Sequence, residues 1–382
     1  MSEMVLRKFV APEVIFGRGA RSLAARYARN LGGTRVLVVT DDGVAEAGWL
    51  EPLLENLDGE GLGWAVYRDV QPNPTDVMVM RGVEVFDGEG CDLILTLGGG
   101  SPMDCAKAIG AVHANGGNVL DFVGVDKIPV PCPPVICVPT TAGSAADISQ
   151  FSIIKNEKTG IKHAIVSKSI VPDVALVDPD TTLTMDGFLT ASTGMDALTH
   201  AFEAYVSRAH SPLTDVHALQ SVEMVHSFLL RTMGDLSSPE YRTGMMLASL
   251  HAGLAFSNAS LGVVHALSHS LGGLLDLPHG ECNSLLLRHG VEANYGAVPE
   301  RFAVLLERFG GCAETPDVLS ELLARLDTLR DQAGLPGRLR DLGLKEDLLP
   351  RIAAAAWEDP CMITNPRPLS PAGLEEILRN AY

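Results

Sequence analysis

Short runs of consecutive apolar residues punctuate the first half of the chain: RVLVVT (35–40), CDLILTL (91–97), PPVICVPTT (133–141) and DVALVD (173–178). None alternates strictly with polar residues, and amphipathic stretches separate them. Strands buried on both faces carry that signature, so the pattern predicts a mainly parallel sheet with helices on each side. After about residue 186 such runs stop. Apolar residues then recur at helical spacing over 212–232, 239–256 and 315–333, bounded by Ser-Pro, Thr-Pro or Gly signals, so the second half reads as all helical. The expected organisation is an α/β domain over residues 1–185 and a helical domain over 186–382, with no repeat, low-complexity tract or flexible linker. The two are expected to meet across a tight cleft.

Composition narrows the class. A chain of 382 residues exceeds what one core usually fills and suits two. With 46% hydrophobic and 20% charged residues it reads as globular rather than disordered. A net charge of -18 without a basic cluster argues against a nucleic-acid partner. No stretch approaches the roughly 20 apolar residues of a membrane span. The start, MSEMVLRKFV, lacks the apolar core of a secretory signal, so no membrane association and a cytoplasmic location are expected. Seven cysteines, an odd number without a CxxC pair, form neither a disulfide frame nor a zinc knuckle.

Three stretches suggest a ligand at the carboxyl edge of the sheet. In CDLILTLGGGSPMDCAKAIG a strand runs into Gly98, Gly99, Gly100 and Ser101 and then a helix with Pro102 in its first turn. Such a turn aims free backbone N–H groups at an anion, and glycines let a pyrophosphate approach. A plain strand-to-helix turn is the alternative, though one glycine would serve it. The loop is neither GxGxxG, since Met103 stands where the third glycine belongs, nor a GK[ST] P-loop. Asp41, just after RVLVVT, is placed to accept ribose hydroxyls and repel a 2′-phosphate, which favours NAD over NADP. It precedes the glycine loop rather than following it, and a solvated turn acid explains it equally well. Thr140, Thr141 and Ser144 in PTTAGS (139–144) offer hydroxyls at the same edge, or form a simple turn.

The helical half carries a candidate metal set. TGMDALTHAFEAY places Asp196 and His200 four apart on one helical face, GVVHALSHSLGG repeats that spacing with His265 and His269, and LPHGECNS puts His279 at a helix start. A carboxylate with imidazoles suits Fe(II), Zn(II) or a related ion, and the lack of thiolates argues against structural zinc. A lone histidine on an apolar helix is more often a satisfied core residue, and His113, His163, His210, His217, His226, His251 and His289 are read as structural or exposed.

Together GGGSPMDCAK, PTTAGSAAD, TGMDALTHAFEAY, GVVHALSHSLGG, LPHGECN and NPR (365–367) resemble the iron-containing, group III alcohol dehydrogenases. The likeness runs from KFVAPEVIFG to LEEILRNAY and is greatest to the branch of lactaldehyde reductase, 1,3-propanediol dehydrogenase and the ErcA-like enzymes. It implies a dinucleotide-binding α/β domain before a helical domain of dehydroquinate-synthase-like architecture. The family's metal ligands fall on Asp196, His200, His265 and His279, and its pyrophosphate loop on Gly98, Gly99 and Ser101. Its ribose acid falls on Asp41, and further NAD contacts on Asn73, Thr140, Thr141, Ser144 and Lys162. His269 matches a position near the nicotinamide outside the metal shell. Many relatives have GTGSE where this chain has AGSAAD; Ser144 keeps a hydroxyl, so the difference touches only fine contacts.

The resemblance implies hydride transfer between NAD and a small primary alcohol or diol, or its aldehyde, with Fe2+, or alternatively Zn2+, activating the oxygen. His269 is expected to relay the proton. A homodimer or larger homo-oligomer is also implied. Segments 151–166, 251–260 and 357–366, the last with Cys361, are expected to wall the substrate pocket. Rival readings on the same architecture are a glycerol or polyol-phosphate dehydrogenase and a dehydroquinate-synthase-like lyase, families that commonly use fewer histidine ligands. A metal hydrolase, which predicts no NAD binding, is more distant.

Overall fold

A computed structural model describes residues 8–382, so the amino-terminal segment behind the no-leader expectation lies outside the described residues. Nine strands occur among them: β1 (Glu13–Phe16), β2 (Arg35–Val39), β3 (Gly63–Tyr67), β4 (Leu93–Gly98), β5 (Gly124–Val125), β6 (Val135–Pro139), β7 (Phe151–Lys155), β8 (Lys162–Val166) and β9 (Val174–Val177). Six form one sheet in the order β1-β9-β6-β4-β2-β3, every neighbouring pair parallel.

The four apolar runs are its central strands, and the register explains why they lack polar alternation. Successive side chains point to opposite faces. Leu37, Val39, Ile94, Val135 and Cys137 enter one core with Met103 and Ile109 of the helix Gly100–Asn115. Val36, Val38, Leu93, Leu95, Leu97, Ile136 and Val138 enter a second core with Ala24, Ala28 and Leu57. The apolar runs do not announce edge strands β1 and β3, nor the small sheet β5-β8-β7 with its antiparallel β7–β8 pair. Those strands are short and partly exposed, so less burial is written into them.

From Gly187 onward the structure is helical. Helix Gly187–Val206 is buried nearly all round, and its small residues let neighbours close in: a Cβ on Gly194 would stand 2.5 Å from Leu229. Helices Pro212–Gly234 and Pro239–Ala259 start where the Ser-Pro signals predict, with Ser211 and Ser238 accepting from Thr214 and Tyr241. The helix expected over 315–333 spans Val318–Gln332, because Asp317 caps it by accepting from Ser320 N.

The buried Arg242 guanidinium donates to the Met185 carbonyl, Thr190 Oγ1 and the Leu236 carbonyl. It thereby fixes the junction between the two halves, beside the cleft. His217 and His251, read as structural or exposed from the sequence, meet Nδ1 to Nδ1 at 3.0 Å. Among the described residues no single helix is long and apolar enough to cross a membrane, and helices Pro239–Ala259 and Val263–Leu275 meet that test only jointly across a 101° bend.

Candidate active site

A cleft of about 660 Å³ opens where the carboxyl ends of β2, β4 and β6 face the helical half. Ligands of open α/β sheets bind at this edge. Asp41, Asn73, Gly99, Ser101, Thr140, Thr141, Ser144, Lys162, Asp196, His269 and His279 all line it. Gly100 lines it as well. The glycine loop packs closely on its neighbour: a Cβ on Gly99 would stand 3.1 Å from the Thr141 side chain, and one on Gly100 3.1 Å from that of Ser144.

Gly98, expected to touch a pyrophosphate, does not line the cleft. It is buried at the end of β4, where a Cβ would press 2.6 Å from the Pro102 ring, so its smallness serves strand–helix packing. Asp41 caps the short helix Asp42–Glu46, with Oδ1 accepting from Val44 N at 2.8 Å, and burial raises its carboxyl above the ordinary value. Lys162 starts β8, and burial brings its ammonium down to about 8. Asn73, at φ 58°, donates to Asp276 of the helical half at 3.3 Å.

Of the metal candidates, Asp196 and His279 line the cleft, while His200 and His265 are buried beside them without lining it. Asp196 and His200 project from helix Gly187–Val206, His265 from Val263–Leu275, and His279 opens His279–Asn294. Donor atoms of Asp196, His265 and His279 lie within 4.8 Å of one another. Asp196 Oδ1 is 3.8 Å from His265 Nε2 and 3.7 Å from His279 Nε2. His200 stands at the edge of this trio rather than inside it. Its Nδ1 is 3.8 Å from Asp196 Oδ1, and its ring stacks on His265 and Phe256 with centroids at 4.4 and 4.2 Å.

A divalent ion fits this donor set. Asn283 Nδ2 lies 2.7 Å from Asp196 Oδ1 and 3.1 Å from each of His265 Nε2 and His279 Nε2. One amide has two protons, so with His265 and His279 neutral three acceptors converge on too few donors, a deficit that a bound cation, or a proton on His265, removes. His200 Nδ1 and Asn283 Oδ1 are buried without partners beside it.

Electrostatics follow from burial and mutual contact. Burial alone would raise the Asp196 carboxyl, yet the imidazoles around it hold it well below the usual carboxylate range. Burial takes His200 down to about 3 and holds His279 well below the ordinary histidine value. His265 differs: burial opposes its charge, but hydrogen bonds to Asp196 and Glu203 raise it to about 9.

His269 is separately held. Its Nδ1 lies 2.8 Å from Asp359 Oδ2, and its ring stacks on His279 at 5.3 Å. Cys361 does not line the cleft; it is buried behind Asp359, which together with burial keeps its thiol protonated. Of the three expected wall segments only the first contributes lining, through Ile153 and Lys162.

A family model described as iron-containing alcohol dehydrogenase matches residues 11–179, and one described as Fe-containing alcohol dehydrogenase family, C-terminal, matches 190–382. The chain belongs to the iron-containing alcohol dehydrogenase family. Among relatives of this enzyme family, the 1,3-propanediol dehydrogenase of Citrobacter freundii is 40% identical over 98% of both chains. The NAD-dependent methanol dehydrogenase of Bacillus methanolicus is 35% identical over 98% of this chain and 99% of its own. A crystal structure of 1,3-propanediol oxidoreductase superimposes with a TM-score of 0.95 at 38% identity, covering 99% of this chain and 100% of that one.

Several residues of this alcohol dehydrogenase site escape sequence reasoning. Asn283, Glu203 and Asp359 touch the histidines without belonging to the recognised donor pairs. Helical spacing offered a signal for two of them, since Asn283 follows His279 by four residues and Glu203 follows Asp196 by seven. Asp359 comes from a segment distant in sequence and had none. Lys107, buried beneath the glycine loop, donates to the carbonyls of Ser149 and Phe151 at 2.8 and 3.0 Å. Beside it, Asp104 accepts from Ile153 N, and burial takes that carboxyl up to about 6. The pair ties the start of β7 to the helix that follows the loop.

Proposed function

We propose that this alcohol dehydrogenase interconverts a small primary alcohol or diol and its aldehyde, exchanging hydride with NAD beside a divalent ion held by Asp196, His200, His265 and His279. One observation carries the reading: the ligand atoms of Asp196, His265 and His279 converge, and Asp196 and His279 line the same cleft as Asp41 and the glycine loop. The NAD-dependent methanol dehydrogenase relative supports the cofactor. When bound, the ion, Fe2+ or alternatively Zn2+, supplies charge that acidifies the alcohol hydroxyl and polarises the aldehyde.

The chain's own groups do the rest. Backbone N–H groups at the start of helix Gly100–Asn115, with Ser101, receive the pyrophosphate. Asp41 accepts the adenosine ribose hydroxyls and repels a 2′-phosphate. Asn73, Thr140, Thr141, Ser144 and Lys162 fix the remainder of the cofactor. Asp359 occupies His269 Nδ1, which leaves Nε2 to take the proton released at the substrate and pass it towards solvent or the ribose hydroxyls.

The reading places the nucleotide domain at 1–185 and the metal domain at 186–382, supported by the change from strand β9 to helix Gly187–Val206. It extends to a homodimer or larger homo-oligomer working in the cytoplasm, a reading that rests on the family. The test is NADH formation from two- to six-carbon primary alcohols and diols. Turnover with NAD well above NADP is expected, and absence of both turnover and NAD binding would overturn the reading in favour of a hydrolase.

A further inference from the structure

Glu203 is buried to 5% exposure, one helical turn beyond His200, and among the described residues no lysine or arginine pairs with it. Its carboxylate takes the start of helix Val263–Leu275 instead. Oε1 accepts from Val264 N at 2.7 Å, and Oε2 accepts from Gly262 N at 3.1 Å and His265 N at 3.3 Å. Asn365, the first residue of NPR, accepts from the remaining Val263 N at 3.0 Å. Two distant side chains thus satisfy the N–H groups that a helix start leaves open. The approach is close enough that a Cβ on Gly262 would stand 2.7 Å from Asn365 Oδ1 and 2.9 Å from Glu203 Oε1.

The same Oε2 lies 2.7 Å from His265 Nδ1, while His265 Nε2 faces Asp196 and His279. An ionised carboxylate only accepts, so it holds a proton on Nδ1 and keeps Nε2 as the ligating nitrogen. A buried carboxylate also requires compensating charge. Among the described residues the only charge-capable partner of Glu203 is a histidine that must be neutral to ligate. Asp196 and Glu203 together therefore match the two positive charges of one divalent ion.

We infer that Glu203 is a positioning residue of the metal centre, which sets the His265 tautomer and supplies the second negative charge that retains the ion. This inference rests on the metal site proposed above. A glutamine at 203 keeps the size but not the chemistry. To go on accepting from Val264 N it must turn its NH2 towards His265 Nδ1, which moves the imidazole proton to Nε2, where the ion belongs.

Zinc affinity of the stripped full-length protein, measured by competition with a chromophoric chelator, tests this alongside the thermal midpoint of the stripped form. Glu203→Gln should weaken zinc binding by about 10- to 100-fold, the usual effect of losing such a partner. Asn365→Ala removes a cap from the same helix without touching a histidine, so it should lower the midpoint and leave zinc affinity within about twofold. A merely structural Glu203 would make the two variants alike. The inference is overturned if Glu203→Gln binds zinc like the parent, or if Asn365→Ala loses as much affinity. His265→Ala separates the two levels: if it keeps full zinc the metal-site reading itself fails, and if it loses zinc while Glu203→Gln does not, only the role of Glu203 fails. Nitrogen-15 histidine spectra of the zinc-loaded parent need no variant: a proton on His265 Nδ1 supports the assignment, and a proton on Nε2 overturns it.

Discussion

Loading the stripped metal centre with zinc should release one proton per ion, and the number follows from how differently the four candidate ligands are held. Asp196 sits well below the usual carboxylate range and is already ionised. His200, at about 3, and His279, well below the ordinary value, are already neutral near neutrality. His265, raised to about 9 between Asp196 and Glu203, is the one ligand that carries a displaceable proton. The apparent association constant should therefore rise about tenfold per pH unit from about pH 5 to about pH 8, roughly 4 kcal/mol in all, and level off above about pH 9.

Stability of the stripped protein moves the opposite way. The His265 value is raised above the ordinary 6.5, so its contribution is fully present below about 6.5 and is lost as pH climbs through about 9. That loss amounts to about 3 kcal/mol. For His200 the value is depressed, so its contribution is present above about 6.5 and is lost as pH falls towards about 3. Zinc-loaded protein should not show the alkaline loss, because the ion stands in for the proton. Calorimetric titration in buffers of different ionisation enthalpy counts the protons, and chemical denaturation against pH gives the stability. Release of no proton, or of two, would show that His265 is not the one protonated ligand.

Asp41→Gly should raise NADP use relative to NAD by at least about tenfold, about 1.4 kcal/mol, read as the ratio of kcat/KM values; a ratio that moves less than about twofold removes Asp41 as the selector. His269→Ala should lower kcat by about 10²- to 10⁴-fold with metal content intact, and Asp359→Asn should lower it less, by freeing the ring it now holds. Elemental analysis beside the kinetics decides, since loss of metal would make His269 a ligand. Gly143→Ala should cost about 1–3 kcal/mol in denaturant unfolding, because its Cβ would stand 2.5 Å from the Thr193 carbonyl, backbone against backbone between the PTTAGS loop and the helix carrying Asp196. Unchanged stability would show that the loop yields freely.

Much of the fold is written as burial. The four central strands are apolar because both of their faces enter cores, and the caps of helices Pro212–Gly234 and Pro239–Ala259 are spelled out as Ser-Pro. Edge strands and the small β5-β8-β7 sheet were not legible, since half-exposed strands of two to five residues carry little period. In the site, helical spacing exposed Asp196, His200, His265 and His269 because residues four apart share a face. It did not distinguish Gly98, whose constraint is the Pro102 ring, from the glycines that line the cleft. Nor does local sequence report groups brought together only by tertiary packing. Asp359 reaches His269 across 90 positions.

Hydride transfer to NAD at a site that requires its metal ion is the core of the proposed function. A primary alcohol carrying two deuteriums on the carbinol carbon, incubated with NAD and either metal-loaded or stripped enzyme, tests both parts in one mass-spectrometric measurement. The prediction is one deuterium per reduced nicotinamide with the loaded enzyme and no reduced cofactor with the stripped one. Reduced cofactor without deuterium, or equal deuterium transfer by the stripped enzyme, would contradict it.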